Sequence, residues 1–574
     1  MTRNLTAKAE ILIIVLLACI PLFIRLPYRV NIFLSWEGAY RMSQGQLPFR
    51  DFGIPLGGMF WVIPALFFKL FGAKLITLVK AQVFINIVAG LSFRSVLKSL
   101  SVNKGIRLVS VLLFCISYSF LNFWPWYNHS VIMYELVALA FLFRYIRLDG
   151  GVAVTSRQGE VGILSAVGNR YKPVWLFASA VFCCFSFFTK QDGGGMAFMI
   201  VFVILVVHSA YERKWKSLLF FVGSYLLVLF LLLLPLLKYG FGYWFNHGQA
   251  PHTARVSAFD ITEEFLGSSQ WIKFYIFLVL VLVMARFREW SVLREDRNGV
   301  LLVVLTLGIL GEAAIFQVTS YTPPDNNIFF HSFAFACILS LLAPLLPVNL
   351  GVGRWTVILS AGVLLWWSGT WWKYMQRVAA GVLPHREQAK SSTGENVVNR
   401  STYMINRDTA GDIPMDQWVE CGLPSFNRIN MPRPTVDGIR RLMDMQLVKD
   451  GKGGGLRVLN MSELTPLAEE IPFALERNSH LPLWYHLGVG MFNKQADTFE
   501  TRIRDHYYDL VLFEYIPTLN NFYPFRVRDS LLLHYQKVDS FMAPRRGGET
   551  MGNIEVFIRP SSDPIRPADS GISK

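Results

Sequence analysis

The chain has 574 residues, of which 53% are hydrophobic and 14% aromatic but only 17% charged. One water-soluble core could not bury so much apolar surface, so this composition excludes an ordinary soluble protein and indicates a polytopic membrane protein. A formal net charge of +15 would suggest nucleic acid as a partner of a soluble protein. Here the basic residues fall mainly in short loops between apolar runs, where they indicate membrane topology, and we expect no nucleic-acid partner.

Apolar runs recur up to about residue 373, each long enough to cross a hydrocarbon core about 30 Å thick. They predict about eleven spans, which begin near residues 11, 75, 108, 131, 174, 196, 218, 271, 300, 328 and 355. The first run lacks a convincing cleavage site, so we interpret it as a retained span. A further apolar piece at 56–72 either spans or lies on the membrane surface. Loop charge favours the surface, because the basic loop that follows the second span then faces the cytoplasm.

The distribution of basic residues also predicts which loops face outward. Lys and Arg cluster in alternate loops, whereas residues 124–129 and 319–327 contain neither. With a cytoplasmic N-terminus, every segment that follows an odd number of spans lies on the outer face. These segments are 28–74, the turn at Lys190, 240–270 and the C-terminal part. We therefore predict a multi-pass inner (plasma) membrane protein of the cell envelope with an extracytoplasmic C-terminal domain.

The chain divides into a transmembrane domain at 1–375, with a first outer loop at 28–74, and a mixed α/β domain at 376–574. In the second domain LRVLNM, YDLVLFEYI and NIEVFIRP are typical of strands, and helices are predicted after capping hydroxyls at Thr435 and Ser462. The six cysteines have no metal-ligand or disulfide spacing and are interpreted as packing residues. The predicted fold class is thus an α-helical polytopic membrane protein with a C-terminal soluble α/β domain.

The first outer loop contains the carboxylates Glu37 and Asp51 and the arginines Arg41 and Arg50. An arbitrary acidic loop residue is usually solvated or paired with a neighbouring cation. A carboxylate close to a span and flanked by aromatic residues is partly desolvated, however, and desolvation raises its pKa towards the range of a general base. The loop is therefore a candidate active site.

A second polar cluster, Lys190-Gln191-Asp192, precedes three glycines at the outer end of a span. A terminal lysine usually extends to the membrane interface. The alternative is a cation at headgroup depth that binds a lipid phosphate. Both interpretations stay open on sequence alone.

Histidines supply the remaining candidates. His247, His252 and Arg255 lie among aromatic residues in the outer loop at 240–270, and His331 follows SYTPPDNNIFF. His and Arg pair naturally with phosphate oxygens, whereas aromatic rings suit a sugar face or an interfacial belt. An interfacial belt or an ordinary loop explains the aromatic residues at least as well as a sugar-binding site does. The histidines are therefore the more specific candidates for substrate binding.

The order of these features resembles the GT-C superfamily of integral-membrane glycosyltransferases, which includes protein O-mannosyltransferases and lipid A aminoarabinose transferases. The resemblance lies in Trp36-Glu37-Gly38-Ala39-Tyr40, in the GQLPFRDF run from Gly45, in Pro55 opening a juxtamembrane helix that ends with ALFFKLFG at Gly72, and in Thr189-Lys190-Gln191 at a span end. In architecture it covers roughly residues 10 to 375. The specific motifs are confined to the first 75 residues and the lysine turn.

The resemblance implies a catalytic acid in the first outer loop, a polyprenyl-phosphate sugar as donor and a periplasmic C-terminal domain. Family members commonly have Asp, often as an Asp-Glu pair, where this chain has Trp36-Glu37. The base is therefore either Glu37 itself or Asp51.

The resulting hypothesis is an inverting glycosyltransferase of the EC 2.4 class, which moves a sugar from a polyprenyl-phosphate donor to a hydroxyl of a glycan, lipid or protein. Membrane lipids are the other expected partners. A bound divalent metal ion stays open, because no cluster has convincing ligand spacing. The catalytic candidates are Glu37 and Asp51. The substrate-binding candidates are Arg50, Lys190, Gln191, Asp192, His247, His252, Arg255 and His331.

Two alternatives come from other classes. A lipid-linked sugar transporter or flippase also needs many spans, and Lys80, Glu135 and Glu312 are the candidate ionisable residues inside the membrane. Transporters usually consist of repeated halves, and the sequence has no detectable repeat. A noncatalytic assembly subunit with the C-terminal part as a docking domain is the third hypothesis.

Overall fold

The structure is a computed structural model that describes residues 2–28, 32–54, 56–119, 123–149, 171–239, 258–320, 329–350, 353–372, 375–376, 413, 417–451, 455–471, 473, 475–482, 492–517, 524–544 and 551–560. The helices of the N-terminal part are α1 (Thr2–Cys19), α2 (Ile32–Ser43), α3 (Val62–Phe71), α4 (Leu75–Ser99), α5 (Lys104–Ser117), α6 (Tyr127–Asp149), α7 (Lys172–Phe187), α8 (Gln191–Glu212), α9 (Lys216–Leu233), α10 (Ala258–Ser268), α11 (Gln270–Arg286), α12 (Trp290–Glu295), α13 (Arg297–Ser320), α14 (Phe330–Leu342) and α15 (Gly353–Trp366). The C-terminal helices are α16 (Arg433–Asp444), α17 (Gln446–Gly451), α18 (Leu467–Glu470), α19 (Phe492–Arg504) and α20 (Phe525–His534).

The strands are short in the N-terminal part and longer towards the end of the chain. They are β1 (Leu26–Pro27), β2 (Phe52–Gly53), β3 (Trp418–Glu420), β4 (Ile429–Pro432), β5 (Val458–Met461), β6 (Asn478–Pro482), β7 (Leu510–Tyr515), β8 (Gln536–Met542) and β9 (Asn553–Ile558). The described fold is therefore mostly helical, with a smaller C-terminal α/β part.

A helix lies at each of the eleven predicted spans. Within the described residues, five helical segments are long and apolar enough to cross a membrane, at Leu5–Phe23, Leu75–Ser99, Gln191–Glu212, Lys216–Leu236 and Arg297–Gln317. The pair Ile261–Ser268 and Gln270–Arg286, bent by 86°, makes a sixth if it acts as one span. Helices satisfy their own backbone hydrogen bonds, which is what a chain in hydrocarbon requires. The chain is thus a polytopic membrane protein, and the count of eleven stays a prediction.

A buried ion-pair cluster fixes the first helix to its neighbours. The carboxylate of Glu10 in α1 is fully buried and accepts hydrogen bonds from Arg94 of α4 at 2.6 Å and Arg107 of α5 at 2.8 Å. Removing one partner would leave charge uncompensated in an apolar environment, which typically costs about 3 to 5 kcal/mol. The cluster therefore holds the register of three helices at the end remote from the first outer loop.

The C-terminal part contains a four-stranded sheet of order β5-β7-β9-β8. β7 pairs in parallel with β5 and antiparallel with β9. Because β7 lies in the middle of this sheet, its sequence LVLFEY is almost entirely buried. The three strand predictions in this domain are confirmed.

The helix-start predictions were partly wrong. Thr435 lies inside α16, whose cap is Pro432, and its hydroxyl donates to the carbonyl of Ala543 at 3.4 Å. Ser462 accepts from the backbone N–H of Leu464, but the short helix that follows begins only at Leu467. A proline that sets the backbone before the first turn replaces the hydroxyl cap at both helices.

The C-terminal part is docked on the first outer loop by backbone pairing. β1 pairs in parallel with β4, and β2 pairs in parallel with β6. The hydroxyl of Tyr28 also donates to the carbonyl of Glu463 at 2.5 Å. Because β1 and β2 lie between α1 and α4, the C-terminal part packs on the connection between these two helices, and its side of the membrane stays a prediction.

Candidate functional site

Glu37 lies on α2, a helix held between aromatic side chains. Trp36 is fully buried and stacks on Tyr40 with ring centroids 4.5 Å apart. Trp61 packs so closely on Gly38 that a Cβ there would lie 2.0 Å from its ring, and its indole N–H donates to the carbonyl of Leu34 at 2.9 Å. This packing fixes the helix face on which the Glu37 carboxylate stands.

Glu37 forms a buried ion pair with Arg41, one turn further along α2. The Arg41 Nε and Nη2 atoms lie 2.9 and 2.8 Å from Glu37 Oε1, and the two side chains are 13% and 12% exposed. Burial raises the pKa of Glu37, while the charge and hydrogen bonds of Arg41 lower it less than burial raises it. A carboxylate with a raised pKa is suited to accept a proton near neutral pH.

Arg41 also connects Glu37 to the C-terminal part, a contact that sequence reasoning missed. Its Nη1 atom donates to the backbone carbonyl of Glu476 at 2.8 Å and to Gln46 Oε1 at 3.0 Å. The Gln46 amide donates in turn to the carbonyl of Leu475 at 3.3 Å. Segment 475–482 therefore covers the loop that carries the candidate base.

A second contact across this interface involves Tyr40. Its hydroxyl lies beside Glu469 of α18, and burial together with that carboxylate raises the pKa of Tyr40 to about 12. Tyr40 is thus a neutral hydrogen-bond donor rather than an acid near neutral pH.

Asp51 has a different environment from Glu37. Its Oδ2 atom accepts from the backbone N–H of Leu47 at 2.7 Å and from Arg50 Nε and Nη2 at 2.9 and 2.6 Å. Burial alone would raise its pKa, but these hydrogen bonds and the charges of Arg50 and Arg477 lower it. Asp51 is therefore held as an anion that shapes the loop, whereas the raised pKa of Glu37 suits a general base.

Lys190 forms the N-cap of α8 and does not extend to solvent. Its side chain is 8% exposed, and its Nζ atom lies 2.7 Å from Asp192 Oδ2. The ammonium group also lies 4.6 Å from the ring centroid of Phe316 and 6.0 Å from that of Tyr127. Gln191, the first residue of α8, is half-buried beside it. Burial of the cation weakens the interpretation as an interfacial lysine.

The first outer loop and the lysine turn pack directly against each other. A Cβ on Gly57 would lie 1.7 Å from the carbonyl oxygen of Phe188, and that oxygen accepts from the N–H of Met59 at 3.1 Å. The rings of Phe60 and Tyr127 are 6.0 Å apart, and Tyr127 faces Lys190. The structure thus brings the carboxylate loop and the Lys190–Asp192 pair into one packed unit.

His331 lies elsewhere, in an aromatic cage. Its Nδ1 atom is 2.9 Å from the hydroxyl of Tyr275, and ring centroids of Phe330, Trp271 and Trp367 lie 4.3, 5.7 and 5.6 Å away. These contacts are structural, and none joins His331 to the lysine turn. Its assignment as a substrate ligand stays a prediction.

His247, His252 and Arg255 lie outside the described residues. The last described residue before them, Tyr239, lies near enough to Arg50 to contribute to its raised pKa, whose main cause is the hydrogen bond to Asp51.

An apolar groove of about 760 Å³ opens between α11, α14 and α15. Aromatic residues dominate its walls, among them Trp271, Phe335 and Trp366. At its Gln270 end, the hydroxyl of Ser269 hydrogen-bonds to Gln317, the residue after Phe316. This hydrogen bond joins the Gln270 end of the groove to α13.

Metal ligands are sparse within the described part of the chain. There, no group of three or more His, Cys, Asp or Glu side chains is arranged to hold a metal ion. All six cysteines are described and are free thiols.

No protein-family model and no curated protein matches the chain. Among solved structures, apo ArnT from Cupriavidus metallidurans matches at 10% identity over 97% of this chain and 98% of ArnT, with a TM-score of 0.48. The same ArnT bound to undecaprenyl phosphate matches at 10% identity over 96% and 97%, with a TM-score of 0.44. The apo oligosaccharyltransferase of Archaeoglobus fulgidus matches at 10% identity over 65% and 56%, with a TM-score of 0.36.

ArnT and the oligosaccharyltransferase are membrane glycosyltransferases of the GT-C superfamily, which is the superfamily that the first outer loop resembles. At 10% identity and TM-scores below 0.5, these likenesses do not establish an activity for this chain. Its activity has to be argued from its own residues.

Proposed function

We propose that the chain is an inverting glycosyltransferase that moves a sugar from a polyprenyl-phosphate donor to a hydroxyl acceptor at the outer face of the inner membrane. The observation that carries the proposal is the packing of a buried carboxylate with a raised pKa, Glu37, and a buried ammonium group, Lys190, into one unit. Transfer between a hydroxyl and a lipid phosphate needs a base on the acceptor side and a cation on the phosphate side.

In this mechanism Glu37 accepts the proton of the acceptor hydroxyl as its oxygen bonds to the anomeric carbon of the sugar. The bond between that carbon and the phosphate oxygen breaks, and its electron pair stays on the phosphate. Lys190 and Arg50 stabilise the negative charge that develops there. A single displacement inverts the configuration at the anomeric carbon.

The apolar groove supports a lipid-linked donor. A polyprenyl chain needs an apolar path at membrane depth, and the groove between α11, α14 and α15 provides one with aromatic walls. The acceptor is a glycan, lipid or protein hydroxyl.

The test is sugar transfer by the purified protein from a panel of radiolabelled polyprenyl-phosphate sugars, with Lys190→Ala alongside the parent. We expect transfer by the parent and weaker donor use by Lys190→Ala, by about 1.5 to 3 kcal/mol, the usual worth of a charged hydrogen bond. Lys190→Arg should retain part of the activity, because the guanidinium keeps the positive charge but spreads it over a larger planar group.

Unchanged donor affinity in Lys190→Ala would remove Lys190 from the donor site. Absence of transfer from every donor, with the protein folded, would favour the transporter or the assembly subunit instead.

The raised pKa of Glu37 gives a pH prediction. A base must be ionised to act, so turnover should rise with pH through the pKa of Glu37. The Arg41 charge lowers that pKa, so Arg41→Gln should raise it further and move the acidic limb of kcat/KM to higher pH. Arg41→Lys is the control, since it keeps a positive charge while losing the bidentate contact. An acidic limb that stays in place in Arg41→Gln would show that Glu37 is not the titrating base.

A further inference from the structure

Two glutamates lie inside the helix bundle beneath the lysine turn. Glu135 on α6 and Glu312 on α13 are 1% and 0% exposed. Within the described part of the chain, no donor hydrogen-bonds to any of their four carboxyl oxygens. Buried carboxyl groups without donors are costly, so such a pair needs a physical reason.

Helix periodicity places the pair one turn deeper than the lysine turn. A Cβ on Gly193 of α8 would lie 2.6 Å from the ring of Phe316 and 2.9 Å from Val131. Glu312 and Glu135 lie four residues from Phe316 and Val131, each on the side away from the lysine turn. Because α6 and α13 both approach α8 at Gly193, the two carboxyl groups lie at the same depth and interact electrostatically with each other.

This interaction favours one proton shared between the two carboxyl groups. Two carboxylates have no donor between them and repel each other, whereas one shared proton converts the repulsion into a hydrogen bond. The pair then carries one negative charge, and its second proton comes on or off as the surrounding charge changes.

Lys190 supplies that surrounding charge. It interacts electrostatically with Glu312 as well as with Asp192. With Lys190 positive and Asp192 negative, a singly protonated pair leaves the cluster one charge negative. An arriving phosphate adds another negative charge to a poorly solvated site, which is unfavourable unless a proton enters with it.

We propose that the Glu135–Glu312 pair takes up one proton from solvent when an anionic lipid phosphate binds at Lys190. The site is then a proton-linked phosphate site, with affinity that falls as pH rises. The proposal rests on the proposed function, in which Lys190 binds the donor phosphate. The net charge of the cluster stays the same, because the negative charge of the phosphate and the positive charge of the proton enter together.

Within the described part of the chain, the other titratable or charged groups that interact with the pair lie on α7 and at the start of α8. Lys190 and Asp192 face Glu312 from the start of α8, and Cys183 of α7 lies near Glu135. From the side of α10 and α11, the nearby polar contact is the uncharged pair Ser269 and Gln317. The test therefore has to separate the glutamates from Lys190 and Asp192.

The experiment is calorimetric titration of the whole purified protein with a polyprenyl methyl phosphate between about pH 5.5 and about 8.5. This diester keeps one negative charge across the range, so the ligand itself does not titrate. Comparing buffers of different ionisation heat counts the protons taken up. We expect uptake approaching one proton per lipid and a dissociation constant that rises by up to tenfold per pH unit. The double variant Glu135→Gln/Glu312→Gln should bind with little uptake and little pH dependence.

Glu212→Gln, at the opposite end of α8 beside Arg297, is the matched control and should behave like the parent. Binding by the parent without proton uptake would overturn the linkage while leaving the donor site intact. Uptake that persists in a folded double variant would assign the proton to another group and also overturn it. Absence of binding at any pH would overturn the donor site at Lys190, and the linkage with it.

Discussion

Glu37→Gln is expected to lower turnover by roughly 10² to 10⁴-fold, the contribution of a positioned general base. The amide keeps the size of the carboxyl group and still accepts a hydrogen bond from Arg41, so the fold and donor binding should persist. Glu37→Asp should recover part of the rate, because the shorter side chain misplaces the carboxylate without removing it. Both are measured as kcat in the transfer assay, with donor affinity measured separately.

Asp51→Asn is the matched comparison for this prediction. The Asp51 carboxylate forms an ion pair with Arg50 and accepts the backbone N–H of Leu47. Loss of the carboxylate charge should therefore weaken the loop and lower thermal stability before it affects proton transfer. Near-parent turnover by Glu37→Gln beside an inactive, well-folded Asp51→Asn would give the catalytic role to Asp51. Normal turnover by both variants would refute a mechanism based on the first outer loop.

The raised pKa of Glu37 and the lowered pKa of Asp51 explain why sequence alone left the base undecided. Both carboxylates have an arginine close by in the chain, and both lie in one polar loop. Both side chains are largely buried, and the difference arises because Asp51 accepts a backbone N–H and lies near Arg477 in addition to Arg50, whereas Glu37 has Arg41 alone among the described residues. Burial and the approach of Arg477 are tertiary features that sequence spacing does not specify.

The helical part of the fold was largely predictable because hydropathy over a span-length window is a strong signal. Strands β5, β7 and β9 were predictable for a similar reason, since strands that are mostly buried consist mainly of apolar residues. The two-residue strands β1 and β2 were not, because such short segments have no pattern of their own. Their partners β4 and β6 lie some 400 residues away in the chain, so the docking of the C-terminal part on the outer loop was unforeseen.

The lysine turn was predictable as a polar cluster but not as a buried one. A lysine at a span end usually reaches the interface. Here Asp192 pairs with it and Phe316 covers it, and Phe316 comes from a helix more than 100 residues further on. The Glu135–Glu312 contact has the same origin, since each glutamate alone resembles an isolated charge in an apolar run.

Gly194→Ala is expected to destabilise the protein by about 3 kcal/mol, the upper end of the usual cost of overpacking. A Cβ at Gly194 would lie 2.1 Å from the Cα and 2.2 Å from the backbone nitrogen of Phe187, and backbone atoms cannot rotate away. The start of α8 would have to shift, and Lys190, whose carbonyl accepts from the Gly194 N–H at 2.9 Å, would shift with it. We therefore expect a lower melting temperature together with weaker donor binding.

Gly195→Ala is the control in the next position of the same helix. A Cβ there meets nothing within 4 Å among the described residues, and alanine is the better helix former, so stability should be unchanged or higher by about 0.5 to 1 kcal/mol. Thermal unfolding and donor titration of the two variants side by side separate helix propensity from the backbone contact. Equal stability and equal donor affinity in the two variants would show that the packing of Phe187 on Gly194 does not position Lys190.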